Sequence, residues 1–356
     1  MSLIGVIANR TTSMFSYIII LVYIYILFFF KLKIFQINIK TLFLPILMIL
    51  ILFISYMHQK INYSFNNMYY IQFFGSQAVF FLILSLFGNI LIFKDRYLEK
   101  FLLIIILLIF MFVLIDYILI NSGFSHLQAF YRINLYSYEN KPLGLFGQFS
   151  VNTSYIVVFY MLLQSYNRLT KVLNISLISM ILFVLIIENS GTGYMSFILL
   201  IFSYLLQNKL YKYLSIGILI TIYIIIYSNI LDKISIEYID ILYKYFIYLV
   251  KYSYMEHIDT YADVIFGLNG NLNIAIDFGP MFMIAKIGLL YTVLYIISLL
   301  YLIYRLSSIY AKMAIITLML GNIHYPVLFY PIMNIFLPII YIITIQRRGL
   351  KSIKEF

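Results

Sequence analysis

Long apolar runs alternate with short polar segments along almost the whole chain of 356 residues. As helices, most of these runs are long enough to cross the hydrocarbon core of a bilayer. The pattern therefore predicts an all-α polytopic membrane protein with about eleven transmembrane helices. The predicted spans are 13–30, 41–57, 71–93, 101–120, 151–166, 172–187, 193–207, 213–228, 283–304, 309–323 and 326–345.

The composition indicates the same class of protein. Hydrophobic residues make up 64% of the chain, charged residues 10%, and the mean hydropathy is +1.01, which no soluble domain approaches. Cysteine is absent, which excludes disulfides, iron–sulfur clusters and thiolate metal sites. The net charge of +11 matters less in a membrane chain than its distribution, and no nucleic-acid partner is expected. The first apolar run continues too long after Arg10 for a cleavable signal peptide to be expected.

The distribution of charge predicts the orientation. With the basic segment 347–354 in the cytoplasm, alternation of the spans places 16 of the 24 basic residues inside, but only 3 of the 13 acidic residues. Such an asymmetry is what the positive-inside rule expects of a correct topology. The N-terminus and the two long loops, 121–150 and 229–282, then lie outside with all four histidines, so function is expected at the outer face.

The larger outer loop contains a predicted amphipathic helix near 233–251. Its five charges in nineteen residues fall on one helical stripe and argue against a transmembrane span. We expect this helix to lie at the membrane interface, where it either packs over the bundle or gates the access of substrate. The charged residues are Lys233, Glu237, Asp240, Lys244 and Lys251.

Three outer segments have the composition of a helix N-terminus with glycine close by. GLFGQFSVNTSY (144–155) opens span five, ENSGTGYMSF (188–197) opens span seven, and IDFGPMFMIAKIG (276–288) leads into span nine. Their polar side chains suit helix capping, and Pro280 suits a first helical turn. The expected capping residues are Ser150, Asn152, Thr153 and Asp277.

Helix starts of this kind can bind phosphate. Their N–H groups and the helix dipole present positive charge, and glycine lets the backbone approach an anion. One such segment alone fits ordinary capping, but three at one face, beside amides suited to sugar hydroxyls, favour a site for phosphate and carbohydrate. The candidate binding residues are Arg132, Lys141, Gly144, Gly147, Gln148, Asn152, Ser190, Thr192 and Lys286.

These segments resemble those of bacterial O-antigen polymerases (Wzy-type), within the O-antigen polymerase and ligase superfamily. LGLFGQFSVNTSYIVVFYMLL is similar to the Gly-Phe-Gly-Gln…Asn stretch that opens a polymerase helix. SGTGY resembles the small-residue motif at a later helix start, and DFGPMFMIAKIGLLYT resembles the segment that closes the large periplasmic loop. The chain departs from the family where Lys141 stands for the usual arginine and where no arginine accompanies SGTGY.

The resemblance implies a single transmembrane domain over 1–356 with a GT-C-type helical bundle and a large, partly helical periplasmic loop. It implies a metal-independent, inverting glycosyltransferase without cofactor, in the bacterial inner membrane and active at the periplasmic face. The growing O-antigen glycan would pass from undecaprenyl pyrophosphate to a lipid-linked repeat unit. Membrane lipid and a chain-length regulator are further implied partners.

The residues suit such chemistry. Pyrophosphate is a good leaving group, so the protein must mainly neutralise its developing charge and orient the acceptor hydroxyl. The candidate bases are His257, Glu256 and Asp277, all in the larger outer loop. Asp116 and Glu188, near outer helix ends, fit a functional or an interfacial role equally. The absence of Asp-x-Asp, HExxH and phosphate-binding-loop patterns argues against nucleotide-driven and metal-dependent reactions.

Two other functions stay open at this point. An O-antigen ligase, which transfers glycan to the lipid A core, shares the topology and uses a loop histidine in roughly the region of His257. The residues of the GLFGQ and SGTGY segments resemble the polymerase motifs more closely, which favours the polymerase. A transporter or flippase of lipid-linked oligosaccharide would normally show two related halves and charges near the midplane, and the chain shows neither.

Overall fold

A computed structural model describes residues 39–63, 77, 95–128, 141–166, 169–210, 223, 243–244, 247–248, 251, 254–268, 279–306, 308–324 and 328. These residues form helices and short connections, without a β-strand among them, as the all-α prediction requires. The helices are α1 (Ile39–Tyr63), α2 (Asp95–Asn121), α3 (Phe149–Gln164), α4 (Lys171–Glu188), α5 (Gly191–Gln207), α6 (Tyr261–Phe266), α7 (Gly279–Ile287), α8 (Leu289–Arg305) and α9 (Ile309–His324), with 3-10 turns at Ser125–Leu127 and Met255–His257.

Seven of the predicted spans fall on described helices, and six of them agree with one helix each. The exception is the span 283–304, which is two helices, α7 and α8, separated at Gly288. The predicted spans 13–30, 71–93, 213–228 and 326–345 lie largely or wholly outside the described residues. The count of eleven and the GT-C arrangement therefore stay predictions.

Two described helices, over Glu99–Asn121 and Lys171–Glu188, are long and apolar enough to cross a membrane. Their mean hydropathies are 3.2 and 2.1, yet only 28% of the apolar stretch of each helix is buried. A helix from the core of a soluble protein would be mostly buried, so these exposed apolar faces suit contact with lipid. The exposed residues include Ile104, Leu107, Leu108, Met111, Ile115 and Ile118 on α2 and Val172, Ile175, Leu182 and Ile186 on α4.

The chain divides into two compact units, and the described residues of the first lie within 93–224 and 307–321. Its centre is α3, whose residues from Ser150 to Leu163 are all buried. Helix α3 packs against α2, α4 and α5, and Thr317 of α9 reaches Met161 with its hydroxyl 3.9 Å from the sulfur. Besides its apolar residues, α3 buries Ser150, Asn152, Thr153 and Ser154, and such polar groups need protein partners when they are buried.

The helices of this unit alternate in direction. At one end, the last turn of α2, the start of α3, the end of α4 and the start of α5 meet through side-chain hydrogen bonds. At the opposite end, Tyr160 and Gln164 of α3 both donate hydrogen bonds to Asn174 of α4. The segments 144–155 and 188–197 therefore lie at the same end of the unit, as predicted.

The described residues of the second unit lie within 19–92, 225–306 and 322–356, and its helices α1, α6, α7 and α8 pack together. Buried Gln59 of α1 donates to the carbonyls of Phe266, at 3.1 Å, and Lys286, at 2.8 Å. Leu268 N donates to Ala285 O at 2.7 Å. These bonds join the loop helix α6 to α7, which is why the apolar run 283–304 is not one continuous helix.

Of the predicted amphipathic helix near 233–251, the structure describes five residues, at 243–244, 247–248 and 251. All five are helical and exposed, and they include Lys244 and Lys251. The rest of that helix lies outside the described residues, so its placement at a membrane interface stays a prediction.

Candidate functional site

The segment 141–148 forms a glycine turn between α2 and α3. Gly144 and Gly147 have φ values of +61° and +69°, which residues with a side chain rarely adopt. The buried carboxylate of Asp116, in the last turns of α2, accepts from Leu143 N at 3.2 Å and from Gly144 N at 2.7 Å. Asp116 therefore fixes the turn through its backbone, which gives this carboxylate a defined structural task.

Asn152, fully buried in the first turn of α3, ties the turn to the helices. Its Oδ1 accepts from Phe146 N at 3.0 Å, and its Nδ2 donates to Leu143 O at 2.7 Å. The same Nδ2 donates to Oε1 of Glu188, at 2.9 Å. The amide predicted to bind a sugar hydroxyl is thus engaged with the protein, and Asn152 acts as a positioning residue.

Glu188, the last residue of α4, is fully buried beside this network. Only Oε1 is hydrogen bonded, to Asn152, whereas Oε2 has no hydrogen-bond partner among the residues that the structure describes. The charged groups that interact electrostatically with the Glu188 carboxylate are Asp116 and Lys141. A buried carboxylate oxygen without a donor is costly, so this atom is a place where a ligand donor would be stabilising.

The N-terminus of α3 carries positive charge. Its cap is Gln148, in extended conformation with φ −152° and ψ 119°, and the cap makes no side-chain hydrogen bond. The structure thus corrects the expected caps Ser150, Asn152 and Thr153, because the turn ends at Gly147 and the helix begins earlier than predicted. Oε1 of Gln148 is buried without a described partner. Lys141 Nζ lies 4.7 Å from the centroid of the Phe149 ring, at the first residue of the helix.

The start of α5 is a conventional cap packed against α3. Ser190 accepts from Gly193 N at 3.4 Å, as predicted for this segment, and its hydroxyl donates to Ser150 Oγ at 3.2 Å. A Cβ at Gly193 would lie 2.6 Å from Cβ of Thr153, so glycine permits this close approach. Half-buried Thr192, a predicted binding residue, accepts through its carbonyl from Ser196 at 2.8 Å.

The remaining predicted site residues fall in the second unit or outside the described residues. Lys286 is 7% exposed in α7, with Nζ 5.9 Å from the Phe282 ring centroid. On the 3-10 turn Met255–His257, Glu256 is exposed and His257 half-buried. Arg132 and Asp277 lie outside the described residues. The structure thus gathers Lys141, Gly144, Gly147, Gln148, Asn152 and Ser190 at one junction of the first unit.

The second unit contains one pair that the sequence analysis did not identify. His58 Nε2 lies 3.0 Å from Oδ1 of buried Asp263, and His58 Nδ1 lies 2.9 Å from Asn62 Nδ2. Asp263 also accepts from Thr260 N at 2.7 Å and from the Thr260 hydroxyl at 2.9 Å. Burial raises the pKa of the nearby Tyr254 hydroxyl, and the Asp263 carboxylate adds to the effect. Since both ring nitrogens of His58 are engaged, the pair holds α1 to α6.

Replacing Gly144 by alanine is expected to lower the free energy of unfolding by about 2–3 kcal/mol. The new Cβ would lie 2.8 Å from Asn152 Cγ and 2.9 Å from Val113 Cγ2, and the backbone would keep a positive φ. Heating in detergent followed by size-exclusion chromatography measures the loss. Gly191→Ala is the matched control, because its Cβ would meet nothing within 4 Å. Equal stability of the two variants would contradict the close packing of the turn.

Among the described residues, no group of three histidine, cysteine or carboxylate side chains is placed to hold a metal ion. Comparisons of the chain with family models, curated proteins and solved structures find no match. The junction is therefore interpreted from its own geometry. It contains a lysine, a helix N-terminus whose cap makes no side-chain hydrogen bond, and two buried acceptor oxygens. They belong to the glycine turn and to the ends of the helices α3 and α4.

Proposed function

We propose that this chain is a polytopic inner-membrane protein that polymerises lipid-linked oligosaccharide repeat units of an O-antigen at the periplasmic face. The exposed apolar faces of α2 and α4 support a membrane location, because in water they would be costly to leave uncovered. The resemblance of the 144–155 and 188–197 segments to O-antigen polymerases supports the reaction.

The charges of the first unit support the proposed orientation. Exposed Lys100, Lys171 and Lys209 lie at the end opposite the glycine turn, near the start of α2, the start of α4 and the end of α5. Basic residues favour the cytoplasmic side of a membrane. The end that carries the turn, Asp116 and Glu188 then faces the periplasm, where a lipid-linked glycan would meet it.

The observation that carries the proposal is the place of Lys141. Its ammonium group lies over Phe149, the first residue of a helix whose cap makes no side-chain hydrogen bond. A formal charge therefore lies over the side chain of the first residue of the helix, near the positive end of its dipole, and each favours a phosphate group. In the proposed reaction the two together bind the diphosphate of the donor and stabilise the charge that develops as it leaves.

The glycine turn would place this charge. Asp116 and Asn152 bind the backbone of 143–146, which fixes the direction in which the chain leaves Lys141 and enters α3. Preorganised charge costs no reorganisation during the reaction and so contributes fully to stabilising the transition state. In this proposal the buried network acts as the support of an electrostatic catalyst.

The experiment is the lipopolysaccharide pattern of a deletion strain, complemented with the wild-type chain. Loss of a polymerase should leave lipid A core that bears a single repeat unit, and complementation should restore the ladder. Bare core in the deletion strain would instead indicate a ligase or a flippase. Repeat units stranded on the inner leaflet would identify the flippase, and either result would overturn the proposal.

A further inference from the structure

Two buried oxygens at the glycine turn accept hydrogen bonds from no residue that the structure describes. They are Oε2 of Glu188 at the end of α4 and Oε1 of Gln148 at the cap of α3. Asn152 connects the two residues, since its side chain binds Glu188 and its backbone N–H donates to the Gln148 carbonyl at 3.0 Å. Both residues therefore contact Asn152, at the junction that also holds Lys141.

While Glu188 is ionised, as a base must be before it reacts, the partner of either oxygen is a hydrogen-bond donor. Leaving a buried carboxylate oxygen unpaired costs more than leaving a neutral group unpaired, so a donor ligand there is strongly favoured. A phosphate offers acceptors at neutral pH and does not fit, whereas a sugar hydroxyl donates a hydrogen bond and does. The lysine and the two oxygens therefore suit different parts of a glycosyl transfer, one anionic and one hydroxyl-bearing.

We propose that Glu188 binds the attacking hydroxyl of the acceptor sugar and is the catalytic base that removes its proton, and that Gln148 accepts a hydrogen bond from a second hydroxyl of the same sugar. This inference rests on the proposed polymerase function and deepens it by naming the acceptor subsite. It places the base on α4 rather than in the larger outer loop, where Glu256, His257 and Asp277 are the sequence-based candidates.

The step balances without any further reactant. The acceptor oxygen forms a bond to the anomeric carbon of the donor glycan while its proton passes to Oε2 of Glu188. The bond between the anomeric carbon and the diphosphate oxygen breaks, and the lipid diphosphate leaves with the electron pair. Lys141 and the N-terminus of α3 balance the added negative charge, and Glu188 later returns its proton to water.

The surroundings of Glu188 suit a base more than those of the neighbouring carboxylate do. Oδ2 of Asp116 accepts hydrogen bonds from two backbone N–H groups of the turn, and these bonds hold the turn in place. The hydrogen bond from Asn152 to Oε1 orients the Glu188 carboxylate, whereas Oε2 accepts no hydrogen bond from a described residue. Of the three residues that follow it, Asn189 and Gly191 are exposed and Ser190 is buried, so the carboxylate lies just beneath the surface at this end of the unit.

The test is the pH dependence of polymerisation by purified protein in lipid vesicles, with a synthetic polyprenyl-diphosphate-linked repeat unit as substrate. Glu188→Gln retains an oxygen for the Asn152 bond but accepts no proton, so the fold is kept while the base is lost. We expect kcat to fall about a hundredfold, at the low end for a general base because diphosphate leaves readily. The wild-type rate should decrease as pH falls and the base is protonated, and the variant should lose that dependence.

Two further variants separate the subsite from a structural role. Asp116→Asn removes the neighbouring buried carboxylate, and we expect it to retain the decrease in rate at low pH, whatever its stability. Gln148→Leu is expected to raise KM for the acceptor about tenfold, the effect of one lost hydrogen bond, with a smaller change in kcat. Thermal unfolding of Glu188→Gln close to that of wild type establishes that the fold is intact.

The outcomes distinguish the two claims. A wild-type protein that forms no polymer from this substrate would overturn the polymerase function itself. An active wild type with an equally active Glu188→Gln variant would overturn only the role of Glu188. The same holds if the variant is slow but its rate still falls with pH as in the wild type, because the titrating base would then be another residue.

Discussion

In the proposed polymerase, replacing Lys141 by alanine is expected to reduce polymerisation about a thousandfold, so that lipopolysaccharide carries a single repeat unit at a normal level of protein. Losing one preorganised donor typically lowers kcat by about 10²–10³-fold, and Lys141 adds a full charge to that role. The α3 N-terminus remains in the variant, but about half a charge then faces the diphosphate alone. The measurements are the lipopolysaccharide ladder in cells and the rate of polymer formation in vesicles.

Two control variants accompany Lys141→Ala: one replaces a different lysine by alanine, and the other replaces Lys141 by arginine. Lys171→Ala removes an exposed lysine from the first turn of α4, at the other end of the unit, and should leave the ladder intact. Lys141→Arg keeps the charge and adds bidentate geometry, so it should retain activity. An intact ladder in Lys141→Ala would refute the phosphate site.

Replacing Gly288 by alanine is expected to cause the largest loss of stability, about 4–5 kcal/mol, with little folded protein recovered from membranes. Gly288 separates α7 from α8 with φ +99° and ψ 160°, a region that is essentially restricted to glycine. A Cβ there would also lie 2.6 Å from the backbone carbon of Ile265 and 2.6 Å from Cα of Phe266. Both neighbours are backbone atoms of α6, so no side-chain rotation relieves the collision.

Gly123→Ala provides the matched control. Gly123 has a positive φ of +78°, but a Cβ would meet nothing within 4 Å, so only the backbone strain of about 1 kcal/mol applies. Heating of both variants in detergent, followed by size-exclusion chromatography, compares the two effects. Similar melting of the two variants would mean that α6 does not press against Gly288.

The helices could be predicted because hydrophobic length is a local property of the sequence. The predicted starts of α3, α4 and α5 agree with the structure to within two residues. The break between α7 and α8 was not predicted because the sequence shows no change from apolar to polar residues there. Gly288 is a single glycine in an apolar run, and the contact with α6 that requires it comes from a segment more than twenty residues earlier.

The candidate site was partly predictable. Glycine, amide and hydroxyl residues before an apolar run indicated Lys141, Gly144, Gln148 and Ser190 as neighbours of helix starts. The connection of Asn152 to Glu188 joins residues 36 positions apart, and the choice of partner depends on how α3 and α4 pack. Composition indicates that an amide is present, but only the fold decides whether it faces a ligand or a carboxylate.

The partner of a histidine could not be predicted from the sequence. His257 stays a candidate base in the larger outer loop, and His58 has an acidic partner, Asp263, that the sequence does not indicate. These two residues are 205 positions apart, and no spacing rule relates α1 to α6. The assignment of a role to an isolated histidine therefore depends on tertiary contacts that a single sequence does not contain.

The enclosure of α3 has a consequence for biosynthesis. This helix is surrounded by segments made before it, α2, and after it, α4, α5 and Thr317 of α9. In the proposed membrane location, α2 is the only one of the described helices packed against α3 that has been made while the ribosome is still translating the later segments. We therefore expect α3 to stay near the translocon, or near an insertion chaperone, until α5 has emerged, and chains shortened before residue 191 to be retained there and degraded.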